Sequence, residues 1–318
     1  MGIEEVLLIL GIIVGVLLIL LIVIGAFIGD GVSSRNKKAK PSKKLHNAVD
    51  EVRDYLDEGI ANLRKKVTKE YDITSTRGDR LHGYLVETNK DSKVYVLCIH
   101  GYRHTDGGFE FGRHSEIYIN KGYNLFLIDH QAHGKSEGKY ISFGQYEHLD
   151  CLKWINFMLS EFGEDIQIIL QGQSMGAATT YLLAAHKDLP SNVKLVVADC
   201  GYTSFDKELV HCAPGPKWLG NILVVFVNLY LKIFRKIDLK KTNALEAAKK
   251  ITLPTLIVHG KEDMFVPTYM GQELYEACGA EDKMLLLIDK AKHARSIALD
   301  PKAYEEAVTK FTNKYIDK

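Results

Sequence analysis

The chain has 318 residues, 46% of them hydrophobic, which is enough for one large globular domain or two small ones. Its 41 basic and 40 acidic residues leave a formal charge of +1, so the bulk charge gives no indication of a nucleic-acid partner. The five cysteines are scattered, without a CxxC pair or a zinc-like Cys/His spacing. We therefore expect reduced thiols, no metal site and no cofactor.

The N-terminal segment differs from the rest of the chain. Residues 6–28 are an unbroken run of 23 apolar residues and glycines. A helix of this length rises roughly 34 Å, which is enough to cross a bilayer. The run predicts a transmembrane anchor over residues 4–28. A cleaved signal peptide is the alternative, and it is disfavoured because Glu4 and Glu5 precede the run and no small-x-small cleavage site follows it.

A basic segment follows the apolar run. Its charged residues are Arg35, Lys37, Lys38, Lys40, Lys43 and Lys44. By the positive-inside bias these residues belong on the cytoplasmic side, although they could also lie on anionic headgroups. We therefore expect a single-pass protein of the cell membrane whose remaining domain lies on the cytoplasmic side. Residues 29–65 are predicted to be a linker and a juxtamembrane helix, the helix starting near residue 47.

Residues 66–318 alternate between strand and helix patterns. A hairpin is predicted over residues 66–73 and 81–87, and the further strands over 94–99, 125–128, 166–170, 195–197, 256–258 and 284–288. Helices are predicted over 145–161, 174–186, 269–278 and 301–315. This alternation is typical of an α/β fold with a mostly parallel sheet and helices on both faces. Ligands of such sheets bind beyond the carboxyl ends of the strands.

One segment, residues 205–250, interrupts the alternation. It has no clear strand, but it contains Trp218 and two apolar runs at 222–227 and 229–234. We interpret it as a helical cap inserted over the sheet. Its apolar residues are expected either to cover a site or to rest on the bilayer surface, and the sequence does not separate these roles.

The strongest chemical signal is Gly172-Gln173-Ser174-Met175-Gly176, which follows a predicted strand and opens a predicted helix. This is the context of a nucleophile elbow. The two glycines are needed because side chains at those positions would collide in so tight a turn, while the serine is held at strained backbone angles. Ser174 is the predicted nucleophile.

A serine nucleophile needs a base and a group that orients the base. In this architecture the acid comes next in the chain and the histidine last. Asp263 lies just past one predicted strand and His293 just past the following one, so they are the predicted acid and base. Glu262 and Asp199 are the competitors of Asp263 for the acid role.

An oxyanion formed during acyl transfer requires backbone amide donors. One is expected to be the amide of Met175, directly after the nucleophile at a helix N-terminus. The other is expected to be the amide of Tyr102, in the loop after the strand that ends at residue 99. His100 in the same loop has either a structural or a chemical role.

These motifs together resemble a known family. The combination comprises His100-Gly101, Asp129 with residues 133–138, Gly172 to Gly176, His259-Gly260 with Asp263, Val266-Pro267, and His293. It resembles α/β-hydrolases of the serine aminopeptidase and monoacylglycerol-lipase-like group, and within them bacterial membrane-tethered hydrolases. The resemblance covers residue 66 to the end. It implies cofactor-free ester, thioester or amide hydrolysis. Gln131 departs from the arginine of many relatives, in a loop that is expected to be structural.

The predicted function is cleavage of a carboxylic ester, possible substrates being lipids, acylated proteins or acyl thioesters. One alternative is a peptidase or amidase, which needs a carboxylate for the substrate amino group. Its candidates are Asp206, Glu208 and Asp238, which look like solvated surface charges. The other alternative is a membrane-tethered binding protein without activity. Natural substrate, acyl length and oligomeric state stay open.

Overall fold

The computed structural model describes residues 2–35, 52–103 and 107–316. Eight strands form one sheet: β1 (Lys69–Thr74), β2 (Arg80–Val86), β3 (Val94–Ile99), β4 (Asn124–Asp129), β5 (Gln167–Gln173), β6 (Val193–Asp199), β7 (Thr255–Gly260) and β8 (Lys283–Ile288). Their order across the sheet is β1-β2-β4-β3-β5-β6-β7-β8. β2 pairs antiparallel with β1 and with β4, and all the other pairs are parallel. The predicted mostly parallel sheet is confirmed.

Eleven α-helices lie within the described residues: α1 (Ile3–Ser33), α2 (Arg53–Arg64), α3 (Gly112–Asn120), α4 (Glu147–Phe162), α5 (Met175–Ala184), α6 (Phe205–Cys212), α7 (Lys217–Tyr230), α8 (Ala244–Ala248), α9 (Thr268–Ala277), α10 (Ser296–Leu299) and α11 (Pro301–Tyr315). A π-helical turn, Leu231–Arg235, continues α7, and 3₁₀ turns occupy Gly107–Phe111 and Leu239–Lys241.

The sheet has a hydrophobic core on each face. The central strands β3 and β4 are buried along their whole length, as their continuous apolar runs predict. One core is formed with α4 and α5 and includes Trp154 and Tyr181. The other includes Tyr118 of α3 together with Tyr304 and Phe311 of α11. Helices therefore cover both faces, and the carboxyl ends of the parallel strands remain at one edge.

Some local expectations differ from the structure. The apolar helix does not end near residue 28, because α1 continues to Ser33 and so takes up the first residues of the predicted linker. Helix α3 was not predicted, because its mixed sequence has only a short apolar stripe. The lysines of the basic cluster and residues 36–51 lie outside the described residues, and α2 falls inside the predicted juxtamembrane helix. The segment 205–250 contains α6, α7, both short turns that follow it, and α8.

The C-terminal end of α1 is joined to the rest of the fold. Its last turns pack against α7, and Ser34 forms a bridge with Tyr140. The Arg35 guanidinium donates to the carbonyl of Gly134 at 2.7 Å. The guanidinium of Arg103 donates to the carbonyls of the last turn of α1, including that of Ser34 at 3.1 Å. The long apolar helix is therefore attached to the loops around the strand ends.

Candidate active site

Ser174 lies in a strained turn between β5 and α5. Its backbone angles are φ 56° and ψ −119°, which are unfavourable for any residue with a side chain. A Cβ atom on Gly176 would lie 1.8 Å from the carbonyl oxygen of Ile99, and one on Gly172 would lie 2.3 Å from Oγ1 of Thr180. Both positions therefore exclude a side chain. This turn has the geometry that the motif predicts, with the nucleophile candidate at the carboxyl end of β5.

Asp263 and His293 meet Ser174 at this edge of the sheet. Asp263 follows β7 and His293 follows β8. His293 Nε2 lies 2.9 Å from Ser174 Oγ, and His293 Nδ1 lies 2.7 Å from Asp263 Oδ2. The three predicted side chains thus form one continuous chain of hydrogen bonds.

The surroundings of Asp263 fix both its ionisation and the tautomer of His293. Its Oδ1 accepts the backbone amides of Phe265 at 3.0 Å and Val266 at 2.9 Å, which favours the carboxylate. Burial by itself raises the pKa of Asp263, but His293 and His259 outweigh burial and hold that pKa well below its usual range. His293 therefore donates from Nδ1 to the carboxylate, which leaves Nε2 free to accept the hydroxyl proton of Ser174.

The contact with Asp263 also shifts the pKa of His293. Burial lowers the pKa of the imidazole, but the charge of Asp263 and its hydrogen bond raise it, and the net shift is upward. A raised pKa makes the imidazole a stronger base. The arrangement can therefore remove a proton from Ser174 and stabilise the resulting imidazolium.

The structure separates Asp263 from its two competitors. Glu262 is exposed, whereas Asp263 is buried and bound to His293. Asp199 is fully buried, and its Oδ1 accepts a hydrogen bond from Ser296 Oγ at 3.4 Å rather than one from His293. The Asp199 carbonyl instead accepts the backbone amide of Ser174 at 2.8 Å. Asp199 thus supports the backbone of the nucleophile turn.

The predicted oxyanion donors are the amides of Met175 and Tyr102, one on each segment next to Ser174. Met175 is the first residue of α5, so its amide has no acceptor within the helix. The loop after β3 approaches the nucleophile, since a Cβ on Gly101 would lie 3.3 Å from Ser174 Cβ. The Gly101 amide is already bound to Glu110 Oε2 at 2.6 Å. The Arg103 amide is likewise bound, to His133 Nε2 at 3.0 Å, so the Tyr102 amide stays the candidate donor of this loop.

Two histidines hold this loop in place. His100 Nδ1 donates to the carbonyl of Gly101 at 2.7 Å, and its Nε2 accepts the amide of His130 at 3.0 Å. His133 Nε2 accepts the amide of Arg103 at 3.0 Å. His100 is fully buried, so the structure favours the structural role for this residue over the chemical one. The loop of Gln131 is also tied down, because Gln131 Nε2 donates to Ser75 Oγ at 3.3 Å.

Glu208 is the site residue whose environment the sequence did not reveal. It is buried in α6, whereas its pattern resembles a solvated surface charge. Burial raises its pKa to about 7, although the Cys212 thiol and the charge of His293 act in the opposite direction. Its Oε2 has no hydrogen-bond partner among the described residues. Asp206 is half-buried, and Asp238 instead accepts from the amide of Lys240 at the start of a 3₁₀ turn.

The donor set of the site is poorly suited to a metal ion. Within the described ranges, the group of possible ligands that lie within 4.8 Å of one another is Cys200, Asp263 and His293. Burial raises the pKa of the Cys200 thiol well above its usual value, so the thiolate that binds metals is disfavoured. The other two side chains are already bound to each other. This arrangement fits a proton relay better than a metal site.

Comparison with known proteins agrees with this geometry. The sequence model of the family described as "Serine aminopeptidase, S33" matches residues 90–239 and 224–297. An uncharacterized Bacillus subtilis protein, YqkD, is 27% identical over 249 residues, covering 77% of this chain and 79% of that protein. The alpha/beta hydrolase domain-containing protein 17B of Xenopus tropicalis is 27% identical over 226 residues, covering 68% of this chain and 66% of that protein.

Solved structures with this fold include esterases. An esterase from Pyrococcus furiosus superimposes with a TM-score of 0.63 at 26% identity, over 78% of this chain and 93% of that one. The Butyrivibrio proteoclasticus protein Est1E, solved with ferulic acid, has a TM-score of 0.60 at 19% identity, over 78% of this chain and 100% of that one. At that identity the second likeness shows the fold alone.

Proposed function

Because the chain belongs to the serine aminopeptidase S33 family of α/β-hydrolases, we propose that it is a membrane-anchored serine hydrolase that cleaves a carboxylic ester. The observation that carries the proposal is the continuous chain of hydrogen bonds from Ser174 through His293 to Asp263. The Pyrococcus furiosus esterase, at 26% identity, supports an ester rather than another acyl bond.

The chemistry follows the geometry. His293 Nε2 takes the proton of Ser174 while Oγ attacks the acyl carbonyl, and Asp263 stabilises the imidazolium that forms. The amides of Tyr102 and Met175 donate to the oxyanion, each lowering the barrier by about 3 kcal/mol. His293 then protonates the leaving alcohol. Water, deprotonated by the same nitrogen, releases the acid from the acyl-enzyme.

Two features support membrane anchoring by α1: the length of the helix and the contacts of its last turns with the rest of the fold. α1 has 31 residues and is apolar and exposed over most of its length, which suits either an anchor or a signal sequence. Its last turns contribute to the fold, since Tyr102 Oη donates to the carbonyl of Val32 at 2.6 Å. Signal-sequence cleavage after the apolar run would remove Gly25, which packs against Phe226 of α7. An uncleaved anchor is therefore the better interpretation, with the hydrolase domain expected on the cytoplasmic side.

The test uses the full-length chain in detergent micelles and a series of p-nitrophenyl esters of increasing acyl length. We expect turnover that falls by about 10⁴-fold or more in Ser174→Ala. Ser160→Ala, an exposed serine in α4, is the matched control and should retain full activity. A fluorophosphonate probe should label Ser174 in the parent chain. If no ester is turned over and the probe does not label Ser174, the binding-protein hypothesis replaces this one.

A second candidate is an aminopeptidase, and Glu208 favours it. A buried carboxylate with a free oxygen, close enough to His293 for their charges to interact, is suited to bind a substrate ammonium group. The two functions predict different substrate profiles, and Glu208→Gln tests the aminopeptidase directly. In an aminopeptidase the change lowers kcat/KM for aminoacyl p-nitroanilides with a free amine and leaves their N-acetyl forms unaffected. In an esterase, p-nitrophenyl esters are turned over and neither anilide is.

A further inference from the structure

Helix α7 and the π-helical turn after it carry an exposed apolar ridge. Its residues and exposed fractions are Trp218 (64%), Ile222 (40%), Val225 (61%), Leu229 (47%) and Ile233 (51%). They recur every three or four positions and so lie along one side of the helix. The opposite side is buried against the protein, through Gly220, Val227 and Leu231. Such a continuous apolar surface on one helix indicates an interaction site.

The ridge lies beside the candidate membrane helix. A Cβ on Gly25 would lie 2.6 Å from Phe226 Cβ, and one on Gly29 would lie 2.7 Å from Cδ1 of Tyr230. These two glycines form the small-xxx-small pattern that allows close packing of membrane helices. The contacts advance by four residues on both helices, so α1 and α7 run in the same direction.

Polar contacts fix the far end of this helix pair. The Arg235 guanidinium donates to Asp30 Oδ1 at 2.5 Å, and Tyr230 Oη donates to the same oxygen at 3.2 Å. Lys232 also lies near this end and is exposed. Charged side chains at this end are expected where the helix leaves the hydrocarbon region for the headgroups. At the opposite end, the exposed Lys217 beside Trp218 has to extend its ammonium group towards the headgroups.

The length of α1 sets the depth of the ridge. Its 31 residues rise roughly 46 Å, of which about 30 Å lies in the hydrocarbon core. Trp218 precedes Phe226 by eight residues, so it lies about 12 Å further towards the N-terminus of α1, level with the part of α1 that must be in lipid. The exposed ridge of α7 and the exposed surface of α1 are therefore continuous.

We propose that α7 is immersed beside α1 in the leaflet that faces the hydrolase domain, and that lipid acyl chains cover its ridge. The proposal goes beyond the hydrolase activity but depends on the anchoring by α1 proposed above. α7 packs against α6, with Gly220 close to Val210, and α6 also carries Glu208, whose charge interacts with that of His293. The bilayer therefore lies against the pair of helices that borders the candidate site.

The two tryptophans of the chain allow a direct test. Trp218 lies on the ridge and Trp154 is fully buried in the core of the hydrolase domain. The full-length chain is reconstituted into phosphatidylcholine vesicles with and without brominated acyl chains. We expect roughly twofold quenching by the brominated lipid, as for a side chain immersed in the acyl region. The same vesicles should not quench Trp218→Phe, in which only Trp154 emits.

Other outcomes overturn the proposal in distinguishable ways. If the chain floats with the vesicles but iodide in water quenches Trp218 and brominated lipid does not, α1 is an anchor and α7 lies outside the bilayer. If neither quencher acts and Val225→Cys forms disulfide-linked dimers, a second copy covers the ridge. If the chain does not float with the vesicles, the anchoring itself is wrong, and the ester assay in micelles still tests the hydrolase.

Discussion

The sharpest test of the candidate site is Asp263→Asn, because this change replaces one carboxylate oxygen, Oδ2, which faces His293 Nδ1 at 2.7 Å and His259 Nε2 at 3.5 Å. The amide oxygen can still accept the amides of Phe265 and Val266, which lie 3.0 Å and 2.9 Å from Oδ1. In place of Oδ2, however, an NH₂ group faces His293 Nδ1 across the 2.7 Å contact. Two donors cannot share that contact, so Nδ1 must become an acceptor.

The consequence is an imidazole in the wrong tautomer. Its proton moves to Nε2, which then points a donor at Ser174 Oγ and cannot take the hydroxyl proton. We expect kcat to fall by about 10⁴-fold, which corresponds to about 5.5 kcal/mol of barrier. Stability should change little, since no buried amide loses its acceptor. Asp263→Ala should in addition lower the free energy of unfolding by about 2 kcal/mol or more, because it leaves both amides unpaired.

The assay is kcat for a short p-nitrophenyl ester in micelles, with thermal unfolding measured on the same samples. The matched control is Glu262→Gln, which removes the neighbouring exposed carboxylate and should leave kcat unchanged. The reasoning is refuted if Asp263→Asn retains more than about a tenth of the activity, or if the control loses as much as the test variant.

Three further predictions concern pH, helix packing and the membrane. Burial lowers the pKa of His293, but the carboxylate of Asp263 raises it more, so the net shift is upward. Because His293 must be neutral to act as a base, kcat/KM should fall on acidification with an apparent pKa above the ordinary 6.5. An acidic limb of the pH–rate profile below 6.5 would contradict the assignment of His293 as the base. Gly29→Leu places a side chain against the Tyr230 ring of α7 and should lower the free energy of unfolding by about 1–3 kcal/mol. The control Gly31→Leu has open space around it and should not lower it. Equal melting temperatures of the two variants would contradict the packing of α1 on α7. Val225→Lys should slow hydrolysis of an ester carried in vesicles by roughly tenfold and leave hydrolysis of a soluble ester unaffected. The control Asn221→Lys, at the edge of the ridge, should change neither rate. Equal loss on both substrates in Val225→Lys would indicate damage to the fold.

The fold followed from local sequence patterns. Continuous apolar runs of three to six residues are buried on both faces of a parallel sheet, so β3 to β8 were predictable near their observed positions. The nucleophile turn was predictable for a similar reason, since only glycines fit at positions 172 and 176. Helix α3 was missed because its apolar residues are few, and its burial depends on other segments, chiefly helix α2, rather than on its own pattern.

Contacts between distant segments required the tertiary structure. Asp263 and Glu262 are adjacent carboxylates, and only the path of the loop after β7 turns one of them towards His293. Glu208 looks like a surface charge because its burial comes from residues far away in the chain.

By itself, the sequence determined the sheet, the nucleophile turn, the order of the acid and the base, and an apolar helix long enough to cross a bilayer. Each of these depends on the periodicity or size of residues that are neighbours in the chain. The tertiary structure alone decided that α7, about 200 residues further along, packs against Gly25 and Gly29. Close approach of two helices is a property of both surfaces together, and a pattern within one segment does not contain it.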